Sequence, residues 1–71
     1  MRQYERAAEL LSQWMHERSV TARELAGQTG IDPGTLRKIL TGRQQAISTR
    51  NMLALARFFD VPLQELMDSF S

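Results

Sequence analysis

The sequence predicts an all-α fold, a compact domain of five short helices. Three observations carry this. Apolar residues recur at the i, i+3, i+4, i+7 spacing of an amphipathic helix in five segments. β-branched residues are sparse and no stretch alternates apolar and polar for long, so strand signals are missing. Most of the periodic segments are bounded by residues that start or stop helices. With 71 residues, 42% of them apolar and 24% charged, the chain has the balance of one folded domain spanning residues 1–71.

The first helix is expected over residues 2–17, where Tyr4, Ala7, Ala8, Leu11, Trp14 and Met15 share a face, and Ser19-Val20 interrupts it. Thr21 with Glu24 three residues on forms a capping box, which starts a second helix over 22–29. Leu25, Ala26 and Thr29 make its inner side, and Gly30 stands where a left-handed residue ends a helix. Asp32 and Pro33 are a capping acid and a first-turn proline, so a third helix covers 33–41 and stops at Gly42. After a loop over 43–47, Ser48 caps a fourth helix over 49–59, with Met52, Leu55, Ala56 and Phe59 inward. Asp60 and Pro62 punctuate it. The last helix, over 62–70, carries Leu63, Leu66, Met67 and Phe70 on one stripe.

Composition excludes several function classes. The chain has no Cys, which removes disulfides, thiolate metal sites and Cys nucleophiles and agrees with a reducing cytoplasm. One His, His16, is too few for a His-rich metal site; beside Glu17 it reads as a solvated surface residue. Asp60, Glu65 and Asp68 read as surface acids near a helix start. The apolar runs are far short of the roughly 20 residues that span a bilayer. Glu5, Glu9 and Glu17 break up any signal-peptide layout. No nucleophile–base pair or phosphate-binding Gly loop is present, so no enzyme activity, cofactor or small-molecule ligand is expected.

Charge is unevenly distributed. The net charge is +1, yet residues 33–59 hold Arg37, Lys38, Arg43, Arg50 and Arg57 and no acid. The remainder is acidic. Such segregation points to a positive face for an anionic partner. Eight of the nine cations are Arg, the residue suited to bidentate contact with phosphate or guanine. The third helix has the matching construction: Leu36, Ile39 and Leu40 form an apolar back, and Gly34, Arg37, Lys38 and Thr41 form a polar front fit for a DNA major groove. Leu25, Ala26, Gly30, Ile31, Leu36 and Ile39 stand at the offsets of a helix-turn-helix, in which a small residue at 26 permits a close crossing and Gly30 turns the chain.

These residues carry a resemblance. Val20 to Ala26, Gly30-Ile31, Thr35 to Ile39, Gly42-Arg43, Leu53 to Ala56 and Val61 to Leu66 make residues 20–67 similar to the Cro and phage-repressor family, of the lambda-repressor-like fold. The resemblance implies a cytoplasmic, bacterial or phage-encoded regulator that acts as a homodimer on palindromic double-stranded DNA operators. In such proteins the third helix reads bases, while the start of the second helix and the loop after the third hold the backbone. Relatives often place Gln or Ser where Pro33 and Gly34 stand, so base reading moves to Thr35, Arg37, Lys38 and Gln44. Backbone contacts fall to Thr21, Arg23, Pro33, Gly34, Thr41, Arg43 and Gln45. Ala22 replaces a phosphate-binding Gln of many members, and Met15 an Arg.

The expected function is therefore a sequence-specific transcriptional regulator, a repressor, that needs no cofactor. The alternative is a protein-interaction module of the same fold, antitoxin-like or an anti-repressor subunit. The acid-free stretch around the third helix favours DNA. The dimer interface is expected at Met67 and Phe70, which extend the apolar stripe of the last helix beyond what that helix buries alone.

Overall fold

The computed structural model describes residues 3–43 and 47–69. Among them are five helices and no strand: α1 (Gln3–Glu17), α2 (Ala22–Thr29), α3 (Pro33–Leu40), α4 (Thr49–Phe59) and α5 (Leu63–Asp68). Two helices end earlier than their periodicity suggests. Thr41 is the C-cap of α3 rather than its last residue. α5 is shortened at both ends, because Pro62 lies in an extended conformation as the N-cap and Ser69 closes the helix by donating its hydroxyl to Leu66 O at 2.6 Å. The side chain of Tyr4 lies outside the described residues.

Local chemistry sets the helix ends. Glu24 N donates to Thr21 Oγ1 at 3.1 Å and Thr21 N to Glu24 Oε1 at 3.2 Å, the reciprocal pair of a capping box. Asp32 caps α3 by accepting from Thr35 N at 3.1 Å, and Ser48 caps α4 by accepting from Asn51 N at 3.1 Å. Gly30 ends α2 at φ +76°. Ser19 and Asp60 adopt the same left-handed backbone without being glycine, at φ 54° and 55°. Each is followed by a wide backbone bond, Val20 N to Met15 O at 2.9 Å and Val61 N to Ala56 O at 3.0 Å, which closes the preceding helix.

The core forms where these helices converge. Leu11, Leu25, Leu36, Ile39, Leu55, Phe59 and Leu66 are fully enclosed, with Ala26, Ile31 and Ala56 filling between them. At about 25 cal/mol per Å², burial of such side chains supplies the main stabilisation. Trp14 leans on Phe59 with ring centroids 5.3 Å apart, and Phe58 meets it edge-on at 5.0 Å. The Arg18 guanidinium lies 5.3 Å from the Phe59 centroid. These contacts seat α1 and α4 behind the α2–α3 corner and leave the other side of that corner to solvent.

Gly42, at φ +74°, is buried against the start of α1. A Cβ there would stand 3.3 Å from both Cα and Cγ of Glu5. α1 therefore braces the end of α3 as well as closing the core.

Candidate nucleic-acid interface

α3 is two-sided. Leu36 and Ile39 point into the core at 1% and 2% exposure, whereas the neighbouring Arg37 and Lys38 are exposed. The alternation follows from 3.6 residues per turn: once Leu25, Ile31 and Ile39 hold one side, positions 33, 34, 37, 38 and 41 must face outward. Pro33, Gly34 and Thr41 are exposed as well, and Thr35 is half-buried at the edge. Neither Arg37 nor Lys38 has an ion-pair partner among the described residues, so their charge remains available to an anion.

Not every expected contact residue presents an idle side chain. The Thr21 hydroxyl donates to Glu24 Oε1 at 3.1 Å while accepting from Glu24 N, so the capping box occupies it. The Thr41 hydroxyl turns back onto α3, donating to Arg37 O at 2.9 Å and toward Lys38 O at 3.3 Å. Arg23 is exposed on the first turn of α2 and lines, with Arg37 and Thr41, a groove of about 760 Å³ between α2 and α3. The groove floor is apolar, built from Ala22, Ala26, Leu36 and Leu40. Arg43 follows Gly42 and is exposed. Gln44 and Gln45 lie outside the described residues, as does Phe70; Met67 is 41% exposed on α5.

The structure adds two residues to this surface. Arg50 and Asn51, on the first turn of α4, line a second cleft of about 500 Å³ together with Asp32 and Thr35. The charge count included Arg50 in the basic segment without placing it. Its position depends on how α4 packs, a tertiary fact, although the Ser48 cap already marked where that helix begins. Arg23, Arg43 and Arg50 thus flank the exposed face of α3 that carries Arg37 and Lys38.

Among the described residues no group of His, Asp and Glu is placed to hold a metal ion, and no helix is long and apolar enough to cross a membrane. A sequence model described as the Cro/C1-type HTH DNA-binding domain matches residues 10–69. Comparisons with curated proteins and with solved structures give no match.

Proposed function

Because this chain belongs to the Cro/C1-type helix-turn-helix DNA-binding family and is a DNA-binding regulator, we propose that it is a cytoplasmic repressor that binds a palindromic operator as a homodimer. α3 enters the major groove. Arg37 and Lys38, with Thr35 and Gln44, read base edges, while Arg23, Arg43 and Arg50 and the backbone around Thr21, Pro33, Gly34, Thr41 and Gln45 hold phosphates. No cofactor takes part. The observation that carries this reading is the two-sidedness of α3, whose buried face fixes its rotation so that Arg37 and Lys38 face outward beside Pro33, Gly34 and Thr41.

The dimer follows from arithmetic. One short helix makes too few base contacts to single out a site in a genome, and two copies related by a dyad double them, with half-sites about one helical turn apart. Met67, and Phe70 beyond it, supply the proposed interface.

Selection of bound sequences from a random duplex library tests this reading. The expected result is a palindrome, bound with an affinity that falls steeply with salt, by a log–log slope of about −0.9 per neutralised phosphate. Arg37→Ala is expected to cost about 1–3 kcal/mol on the best site and to relax one base position. Arg43→Ala should weaken good and poor sites evenly. A second reading, a protein-docking module, draws support from the apolar floor of the groove between α2 and α3. Absence of duplex binding even at low salt selects it.

A further inference from the structure

Asp32 is the sole acid between Glu24 and Asp60, and it stands at the start of the helix that carries Arg37 and Lys38. An exposed carboxylate on a surface that meets phosphates is unfavourable by simple Coulomb repulsion. Capping does not require it, since Ser48 performs the same task on α4 with a neutral hydroxyl at the same 3.1 Å. The helix dipole favours the negative charge at this end, and the exposed carboxylate can at the same time meet a ligand.

The surroundings of Asp32 leave the carboxylate open to one. Pro33 and Gly34 bring no hydrogen-bonding side chain to the first turn of α3, which leaves Asp32 and the half-buried Thr35 as its polar side chains. A Cβ at Gly34 would lie 3.1 Å from Asp32 Oδ2, so the missing side chain at 34 is what keeps the carboxylate uncovered. The bond from Thr35 N holds Oδ2 and so orients the group, and Oδ1 has no partner among the described residues. Clefts open on both sides of it, one toward Arg37 and one toward Arg50.

We propose that Asp32 determines specificity by accepting a hydrogen bond from the exocyclic amino group of a cytosine in the major groove. The inference rests on the reading of α3 as the groove-entering helix. An ionised carboxylate only accepts, so it is repelled by the O6 and N7 of guanine and by the O4 of thymine. Adenine offers a donor flanked by the N7 acceptor. In the A·T pair that donor lies between two acceptors, adenine N7 and thymine O4. The cytosine amino group has an acceptor on one side only, O6 of its paired guanine, and C5–H on the other. Repulsion from phosphate then becomes useful, because it penalises every site that lacks the compensating base.

The experiment is selection from a random duplex library with the wild-type chain, Asp32→Asn and Asp32→Ser, both of which keep a capping side chain. The wild type is expected to require C at one position of each half-site, with about tenfold discrimination. Asp32→Asn is expected to lose that requirement or exchange it for A, and to bind random duplex more tightly than the wild type. Asp32→Ser is expected to lose it without replacement. If both variants keep the wild-type preference at every position, Asp32 is a cap and nothing more, while the groove-reading function stands. If the wild type itself selects no sequence, that function falls and this inference with it.

Discussion

The two helix corners of the molecule are built differently. At the α2–α3 corner each local device has the residue suited to it: a closed capping box at Thr21, glycine at the left-handed position 30, and Asp32 followed by a first-turn proline. At the α4–α5 corner the left-handed position is held by Asp60, and α5 starts at Pro62 without a side-chain cap. The contrast shows where rigidity matters. On the proposed reading, base contacts tolerate little positional error, and the corner that presents α3 is fixed by local bonds before any partner arrives. The α5 end depends on burial of Leu66 and leaves Met67 41% exposed.

The largest effect should come from removing what both corners share. Leu36→Ala deletes a fully packed side chain behind the exposed face of α3 and is expected to lower the unfolding free energy by about 2–5 kcal/mol in urea titration. Met67→Ala, at a partly exposed position, is expected to stay within about 0.5 kcal/mol when measured at concentrations too low for the proposed dimer to form. A comparable loss for Met67 would mean that α5 packs more tightly than the contrast allows. The capping box is next. Thr21→Ala is expected to cost about 1 kcal/mol, seen as a lower urea midpoint, while Thr21→Ser retains most of the stability. Smallest, and opposite in sign, is the loose corner: Asp60→Gly removes the strain of a non-glycine left-handed residue and is expected to add about 0.5–1 kcal/mol. An unchanged midpoint for Asp60→Gly would indicate that the aspartate carries no strain there.

These differences explain what could be read from the residues alone. Both ends of α2 and the start of α3 were legible because caps, prolines and glycines act within a few positions of themselves, whereas α3 closes at Leu40, one residue before its expected end. The termination at Ser19 and Asp60 was visible only as punctuation, since neither residue announces a left-handed backbone as glycine does. The outer face of α3 followed from its period. Arg50 and Asn51 did not, because their approach to Thr35 is made by the packing of α4 against α2. Asp32 was legible as a cap, but its uncovered carboxylate depends on the space around Gly34, which only the folded geometry defines. Among the expected site residues, Thr21 and Thr41 have hydroxyls already engaged within their own helices, a competition that residue type does not reveal.

The packing of Gly42 on Glu5 also bears on how such a protein can diversify. On the proposed reading, retuning such a regulator to a new operator means exchanging side chains on the outward turn of α3 and in the loop behind it. Position 42 adjoins that loop but resists exchange for two unrelated reasons. Its positive φ strains most side chains, and even the few that accept that backbone, such as Asn, would push Glu5 aside by a few tenths of an ångström. Gly27 on α2 is the opposite case, a regular helical site with nothing within 4 Å of a Cβ, where Ala would fit. On that reading, new specificity is written on either side of Gly42 rather than through it, and the first turn of α1 limits the vocabulary of the loop.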